Sequence, residues 1–391
     1  MKHRSLFTKA VHAGEDRAEN FGALSTPIYN ASVFAFENAD EAAAIHNHVK
    51  PGYYYGRLGN PTQETLEKAV ADLEGADDAL AFASGMAAIS AAILTVAKSG
   101  DHIVALESMY STTTSLLNHL AENFGLEVTY VDATDPENYR QAARPSTKLF
   151  WIETPSNPVL NVTDISAVCG IAKENGIVTC ADNTFATPFN QNPLSLGADL
   201  VVHSATKYLG GHSDLTAGIL AGDSSIVEEA RMKTTRYFGG NIAPQVAWLV
   251  MRGIKTLALR MDKHNQNAYA VAHMLSDHPK VDAVFYPGFG DHPGHTYAVK
   301  QMRGFGGMVA FDVGGIEAGK RFINALELVS IATSLGGVES IIQHSASMTH
   351  ASLSPEARKL AGISDGMMRF SVGVEDMEDI LDDLRSALEA V

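Results

Sequence analysis

Between about residues 61 and 221, short apolar runs alternate with segments whose apolar residues recur at helical spacing. This alternation constrains the fold most, because repeated strand–helix units predict a mostly parallel sheet with helices on both faces. The last run follows its predecessor too closely for a helical crossover, so we expect it to lie antiparallel to a neighbour. The predicted strands of this seven-stranded sheet cover 78–83, 101–106, 126–131, 147–153, 177–181, 199–203 and 215–221.

A chain of 391 residues is too long for one simple core. A long helix is predicted over 244–276, and it leads into a smaller α/β part with strands at 281–286, 308–313 and 368–372 and helices at 317–325 and 377–390. The N-terminal residues have weak periodicity and many turn formers, which predicts an extended arm that packs on something else. The predicted divisions are an arm (1–59), a large domain (60–256) and a C-terminal domain (257–391).

The composition is that of a folded, acidic protein. Hydrophobic residues make up 46% of the chain and the net charge is −16, which argues against nucleic acid and anionic membranes as partners. Cys169 and Cys180 fall in apolar segments without metal-ligand spacing, so buried structural thiols are expected. Residues 1–5 lack an apolar signal region and no run approaches a membrane span, so we expect a cytoplasmic protein.

The histidines are expected to be structural or peripheral. His292 and His295 lie in a polar loop without further ligands at a suitable spacing, so no metal site is predicted. The sequence indicates no carboxylate partner for four other histidines, which are His203, His212, His344 and His350.

Ser204, Thr206 and Lys207 follow directly after the apolar run 199–203. They therefore arrive together at the carboxyl end of a predicted strand, which is where open α/β sheets bind ligands. A lysine at a strand exit is ordinarily a surface residue. A lysine that is sufficiently desolvated can instead act as an amine nucleophile and form a Schiff base.

Other strand ends supply complementary groups. Gly85 and Met86 open a helix, whose free N–H groups and dipole suit an anion. Tyr110 offers an aromatic stacking surface, and Asp182 follows directly after an apolar strand, where an aspartate is usually a turn former. Together with Lys207, these groups form a set that fits pyridoxal phosphate: an anion cradle, a ring platform, a carboxylate for the pyridine nitrogen and a Schiff-base amine.

These motifs make the chain recognisable. Over nearly its whole length it resembles the Cys/Met-metabolism family of pyridoxal-phosphate enzymes, which have the aspartate-aminotransferase fold (fold type I). The resemblance implies a large domain with a mostly parallel seven-stranded sheet and a smaller C-terminal α/β domain. The segments that carry it include 53–57, 60–62, 84–88, 153–158, 181–184, 203–218, 251–257 and 345–350.

The resemblance implies a role for each matched position at the cofactor. Lys207 carries the Schiff base and moves protons between carbons, and Asp182 pairs with the pyridine nitrogen. Tyr110 stacks on the ring and protonates the leaving group, and Asn157 lies near the phenolic oxygen of the ring. The phosphate is held by the backbone of Gly85 and Met86 and by Ser204 and Thr206.

The resemblance also implies a substrate clamp and an assembly. Arg369, with Ser334 beside it, binds the α-carboxylate of the substrate. Tyr55 and Arg57 reach the phosphate of the neighbouring subunit's cofactor, and an arginine fork suits that anion. The implied assembly is a homotetramer of two active dimers.

Three departures bear on the reaction. Segment 334–337 is similar to that of γ-lyases. Thr333 stands where many cystathionine enzymes have a glutamate, and this neutral residue favours a smaller, apolar thioether as the substrate. Thr112 stands where methionine γ-lyases have cysteine, and Thr235 and Arg236 replace their lysine–aspartate pair, which counts against strict methionine specificity. The expected activity is γ-elimination from methionine or homocysteine, giving 2-oxobutyrate, ammonia and a thiol.

Three alternatives stay open at the level of the sequence. Within the lyases the alternative is cystathionine γ-lyase. Among transferases it is an O-acylhomoserine sulfhydrylase, which performs γ-replacement. A non-catalytic relative that keeps the fold as a binding module is disfavoured, because Lys207, Asp182, Tyr110 and Arg369 are all present.

Overall fold

A computed structural model describes residues 4–18, 20–348 and 362–391. The strands of the larger sheet are β1 (Asp78–Phe82), β2 (His102–Leu106), β3 (Glu127–Val131), β4 (Thr147–Glu153), β5 (Val178–Asp182), β6 (Leu200–His203) and β7 (Gly218–Gly222). Their order across the sheet is β1-β7-β6-β5-β4-β2-β3. β7 is antiparallel to both β1 and β6, while β2 to β6 pair in parallel. The predicted mostly parallel, seven-stranded sheet is confirmed, as is the antiparallel strand after Lys207.

Helices pack on this sheet, and further helices lie in the N-terminal arm and the C-terminal part. One of them, at 61–74, shows how the sequence sets its bounds: the Asn60 side chain accepts a hydrogen bond from the Thr62 N–H, Pro61 occupies the first position, and Gly75 ends it with φ 72°. The α-helices are α1 (Leu6–His12), α2 (Ala39–His46), α3 (Pro61–Glu74), α4 (Gly85–Val96), α5 (Ser111–Phe124), α6 (Glu137–Ala142), α7 (Ile165–Glu174), α8 (Thr187–Asn190), α9 (Ser224–Ala230), α10 (Arg236–Phe238), α11 (Pro244–Ile254), α12 (Leu257–Ser276), α13 (His295–Gln301), α14 (Ile316–Asn324) and α15 (Met377–Glu389). A 3₁₀ turn covers Pro193–Leu196 and a π-helical turn covers Arg231–Thr235.

Two hydrophobic clusters hold the larger sheet, and alternate residues of β1, β6 and β7 enter one or the other because they point to opposite faces. On one face, Trp151 packs in a cluster with Ile89 of α4 and Val168 of α7. On the other face, Val201 packs in a cluster with Val70 of α3 and with residues of α11 and α12. The side chains at the carboxyl ends of the strands are thereby held by helices on both sides.

The C-terminal part forms a second sheet. Three of its strands match the prediction, whereas β10 and β11 were not predicted, because β10 has only two residues, both exposed, and β11 ends in polar Gln343 and His344. This sheet packs against α12, α14 and α15 around Phe311, Phe322 and Leu384. Its strands are β8 (Ala283–Phe285), β9 (Met308–Asp312), β10 (Ser330–Ile331), β11 (Ile341–His344) and β12 (Met367–Ser371), in the order β10-β11-β12-β9-β8.

The helix predicted over 244–276 is two helices, α11 and α12. The carbonyl oxygen of Gly253 accepts hydrogen bonds from Arg260 Nη2 (2.8 Å) and Thr256 Oγ1 (3.2 Å), and these bonds take the place of a continued helical pattern. Arg260 Nη1 also donates to the Tyr208 carbonyl oxygen (2.8 Å). The break between the helices is therefore stabilised by an arginine that also holds the residue after Lys207.

The arm is only partly extended, since it contains α1 and α2. Its first part packs on the chain's own larger domain: Ala10 is buried and Lys9 Nζ donates to the Asp72 carbonyl oxygen of α3 (2.9 Å). Farther along, apolar side chains are exposed, including Phe21 at 97% and Val49 at 80%. The later part of the arm therefore presents apolar surface that its own chain does not cover.

Some expectations about the whole chain can be compared with the described residues. Cys169 and Cys180 are both buried and free. The described residues contain no cluster of three or more metal-ligating side chains, and none of their helices has the length and apolar character to cross a membrane. His350, expected to be structural, and Thr349 of the motif 345–350 lie outside the described residues.

Candidate active site

A cavity of about 510 Å³ lies at the carboxyl ends of β4, β5 and β6, where side chains from the second sheet also reach it. It brings together every predicted site residue except Tyr55 and Arg57. The predicted residues that line it are Gly85, Met86, Tyr110, Thr112, Asn157, Asp182, Ser204, Thr206, Lys207, Thr333, Ser334 and Arg369.

Lys207 lies in the turn after β6, with its backbone N–H donating to the Ser204 carbonyl oxygen (3.1 Å). Its Nζ donates to Ser334 Oγ at 2.5 Å. Burial, and to a lesser extent the charge of Arg369, lowers the pKa of Lys207 to about 8. A neutral amine, which is the nucleophilic form, is therefore accessible near neutral pH.

Asp182 ends β5 and is 7% exposed. Thr184 donates to its Oδ1 through both the hydroxyl (2.5 Å) and the backbone N–H (3.0 Å). Burial raises the pKa of Asp182, and the bonds from Thr184 oppose that rise. Both bonds reach Oδ1, and no described residue bonds to Oδ2, so Oδ2 is available to a ligand's N–H or a protonated ring nitrogen.

The first turn of α4 forms an anion cradle. The Ser84 hydroxyl accepts a hydrogen bond from the Ala87 N–H (3.2 Å), which leaves the N–H groups of Gly85 and Met86 at the open end of the helix. A Cβ at Gly85 would lie 2.8 Å from Ser204 Cβ and Oγ. Only glycine lets this turn approach Ser204 so closely, which places the Ser204 side chain beside the open N-terminus of the helix, where both can face one anionic group.

Arg369 on β12 is a buried cation held entirely by neutral oxygens. Its Nη1 donates to Asn157 Oδ1 (2.9 Å), and its Nη2 donates to the Ser334 carbonyl oxygen (2.7 Å) and to Gln343 Oε1 (3.1 Å). Its Nε has no hydrogen-bond partner in the described part of the chain. Burial lowers the pKa of Arg369 to about 10. Among the described residues this guanidinium has no carboxylate partner and keeps a free donor, which suits an anionic group of a ligand.

Comparison with known proteins decides the family. A model of the family described as Cys/Met metabolism PLP-dependent enzyme matches residues 7–389. The chain belongs to this family of pyridoxal-phosphate enzymes. It is 46% identical to an L-methionine gamma-lyase of Porphyromonas gingivalis, over 98% of this chain and 97% of that protein. It is 44% identical to a cystathionine gamma-lyase of Bacillus subtilis, over 100% of both chains.

A solved structure shows the same architecture. It is a cystathionine gamma synthase from Xanthomonas oryzae pv. oryzae, in complex with aminoacrylate and cysteine. The TM-score is 0.93 with 41% sequence identity, covering 99% of this chain and 98% of that one. The fold is therefore that of fold type I, as the sequence predicted.

The residues of this family member fit pyridoxal phosphate. The cradle at Gly85 matches a phosphate, the carboxylate of Asp182 has an oxygen free for the pyridine nitrogen, and the amine of Lys207 has a lowered pKa. The hydroxyl of Thr206 donates to the Ala217 carbonyl oxygen (3.2 Å), which fixes it at the same end of the cavity.

Glu153 was not among the predicted site residues, although it lines the cavity and is 5% exposed. Its Oε2 accepts a hydrogen bond from the Tyr110 N–H and its Oε1 one from the Asn157 N–H, both at 2.9 Å. Burial, and next the charge of Asp182, raises the pKa of Glu153, and the two N–H bonds to the carboxylate oppose that rise. The available signal was its place as the only acid in the strand-like run 147–153, directly after apolar residues.

The two arm residues are not among the described residues that line the cavity of their own chain. The Arg57 guanidinium is 5.4 Å from the centre of the Tyr55 ring and donates to the Arg236 carbonyl oxygen, beside the π-helical turn. Tyr55 is 41% exposed. Their predicted role at a neighbouring subunit's cofactor therefore needs a second copy of the chain and remains a prediction.

Thr112 and Thr333 are both exposed and line the cavity. Among the described lining residues, the charged side chains are Glu153, Asp182, Lys207 and Arg369. Beyond these four groups, the part of the wall formed by described residues is neutral.

Proposed function

We propose that the protein is a pyridoxal-phosphate-dependent carbon–sulfur lyase that performs γ-elimination on methionine or homocysteine, producing 2-oxobutyrate, ammonia and a thiol. The observation that carries this proposal is the pairing of a carboxylate-binding arginine with a nucleophilic lysine across one residue. Ser334 accepts a hydrogen bond from Lys207 at Oγ and one from Arg369 at its carbonyl oxygen. An α-amino acid offers a carboxylate to the guanidinium and, on the adjoining α-carbon, a proton for the amine to remove.

The neutral wall supports an uncharged side chain in the substrate. Cystathionine carries a second ammonium and carboxylate at its far end, and these would need charged partners to offset the loss of water. The described lining offers Thr112 and Thr333 in that region. The thioether or thiol of methionine and homocysteine needs no such partner, and several relatives of comparable identity are named L-methionine gamma-lyase.

The residues that would hold the cofactor are those that fit it. Asp182 would keep a proton on the pyridine nitrogen, Tyr110 would stack on the ring, and Asn157 would lie beside its phenolic oxygen. The phosphate would be bound by the α4 N-terminus with Ser204 and Thr206. When bound, pyridoxal phosphate supplies an electron sink for the carbanion at the substrate's α-carbon.

The remaining steps belong to the protein's own side chains. Arg369 binds the α-carboxylate and thereby orients the α-carbon toward Lys207. Lys207 Nζ removes the α-proton and moves protons between substrate carbons. Tyr110 Oη gives a proton to the sulfur as the carbon–sulfur bond breaks, so that a thiol leaves.

We also propose a homotetramer of two active dimers in the cytoplasm. The exposed apolar side chains of the arm, and the fact that Arg57 is not among the described lining residues of its own cavity, support a second copy packed on this segment. The free, buried cysteines suit a reducing compartment.

Cystathionine γ-lyase is the second candidate, because the Bacillus subtilis relative so named matches the whole chain at 44% identity. O-acylhomoserine sulfhydrylase remains a third candidate, since γ-replacement begins with the same proton removal.

A substrate panel separates these candidates. Purified enzyme is supplied with methionine, homocysteine or cystathionine alone, and with O-acetylhomoserine plus sulfide, while 2-oxobutyrate and thiol are measured together. We expect 2-oxobutyrate from methionine or homocysteine at a higher kcat/KM than from cystathionine. Lys207→Ala is the control that lacks turnover but keeps the fold. Fast formation of homocysteine from O-acetylhomoserine, with no appreciable 2-oxobutyrate from methionine, would refute the proposal.

A further inference from the structure

Glu153 connects two parts of the site that lie on different loops. Its Oε2 accepts the N–H of Tyr110, the residue that precedes α5. Its Oε1 accepts the N–H of Asn157, in the loop that follows β4. The Asn157 side chain in turn accepts a hydrogen bond from Arg369 Nη1 (2.9 Å). One carboxylate therefore joins the aromatic residue to the arginine through a continuous series of hydrogen bonds.

Burying a carboxylate at this position costs free energy. Glu153 is buried, and it lies in register with the buried Asp182 on the neighbouring strand. Removing two acids from water and placing them side by side is unfavourable unless specific bonds compensate. A glutamine of the same shape has only one acceptor oxygen, so it could accept one of the two N–H groups and would turn its own NH₂ toward the other.

We infer that Glu153 is a positioning residue, which fixes the Tyr110 ring and, through Asn157, the Arg369 guanidinium in one geometry relative to each other. It touches neither the reacting carbon nor the leaving group. Its effect reaches the reaction through the residue that stacks on the ring and the residue that binds the carboxylate. The roles of Tyr110 and Arg369 in this inference rest on the proposed function. The hydrogen bonds that link them do not depend on it.

The test compares Glu153→Gln with Glu67→Gln in the holoenzyme. Glu67 is a matched control because it is also a buried glutamate that accepts a backbone N–H, that of Ala81 (3.0 Å), and it pairs with Arg231 (3.1 Å) outside the cavity. Each variant is measured for cofactor content, melting temperature, circular dichroism of the cofactor's visible band, kcat and KM. Glu67→Gln should lower the melting temperature and leave the kinetic constants and the visible dichroism unchanged.

For Glu153→Gln we expect full cofactor content, an altered visible dichroism and a kcat/KM that is about 10- to 100-fold lower, the range for losing a hydrogen bond to a charged acceptor. Affinity for glycine is measured by titrating the visible spectrum. Glycine has the α-amino and α-carboxylate groups but no γ-substituent, so its binding tests the arginine branch even if the enzyme is not a γ-lyase. We expect its affinity to fall several-fold.

Wild-type dichroism and wild-type glycine affinity in folded Glu153→Gln would overturn the inference, whatever the substrate panel shows. If that variant does not fold or retain cofactor, Asn157→Ala decides the matter by glycine affinity. This variant keeps the backbone bond to Glu153 but removes the bond to Arg369. A several-fold loss supports the series from Glu153 to Arg369, and an unchanged affinity refutes it.

Discussion

The Lys207 amine of the cofactor-free protein should react as a neutral amine at a pH where ordinary lysines are almost fully protonated. Its pKa is lowered from 10.5 to about 8. At pH 7 a group with a pKa of 8 is about 10% neutral, whereas one with a pKa of 10.5 is about 0.03% neutral, a difference of about 300-fold. Burial is the larger cause of the lowered Lys207 pKa and the Arg369 charge is the smaller one. Arg369→Gln should therefore raise the pKa of Lys207 by less than half of the difference between about 8 and 10.5.

The assay is competitive labelling with an amine-reactive reagent between pH 6 and pH 11, with peptide mass spectrometry to follow each lysine. Exposed Lys98 in the same digest reports the reagent's own reactivity. The labelling rate of Lys207 should reach half of its maximum near pH 8, and in Arg369→Gln at a higher pH. A midpoint for Lys207 above pH 10 would refute the argument from burial, and an unshifted midpoint in Arg369→Gln would refute the role given to its charge.

Three further outcomes are expected. Lys207→Met should raise the free energy of unfolding of the cofactor-free protein at pH 7 by up to about 3 kcal/mol in urea unfolding. The reason is that a lysine whose pKa is lowered in the folded state costs stability in full below pH 8 and progressively less up to about pH 10.5. A destabilised variant would contradict this. Arg57→Ala should lose cofactor faster on dialysis than wild type, although Arg57 is not among the described residues that line its own cavity. Equal retention would count against a site shared between subunits. Trp151→Ala should lower the free energy of unfolding by about 3–5 kcal/mol, since the indole is fully buried in the core of the larger sheet; a loss under 1 kcal/mol would contradict that placement.

The larger sheet and the groups at its strand ends could be predicted because both depend on local pattern. Asp182 and Lys207 each follow an apolar run of strand length, and parallel strands place such exits at one edge. Their common cavity follows from that rule. The antiparallel β7 was predictable from the short connection after Lys207 alone.

Features that depend on contacts distant in sequence could not be predicted in this way. The break between α11 and α12 arises from Arg260 bonding to the Gly253 carbonyl oxygen, and the single glycine there is a weak signal because an isolated glycine is tolerated inside a helix. Arg369 was assigned only by resemblance, because nothing in the pattern of β12 indicates that it reaches the edge of the other sheet. Glu153 was overlooked for a related reason, since its two bonds join loops that meet only in the folded chain.

The position of β7 between the edge strand β1 and β6 has a consequence for how the chain can be made. β1 is an edge strand whose partner in the sheet is β7, with Asp78 paired to Gly222. The inter-strand hydrogen bonds of β1 therefore cannot form until β7, which lies far later in the sequence, has been synthesised. Until β7 leaves the ribosome, the apolar β1 has an unsatisfied backbone edge, which is the kind of surface that favours aggregation. β7 also follows directly on the turn that carries Lys207. Completion of the sheet and delivery of the lysine to its place therefore occur within the same stretch of synthesis, and nascent chains that end before residue 218 should depend on chaperones.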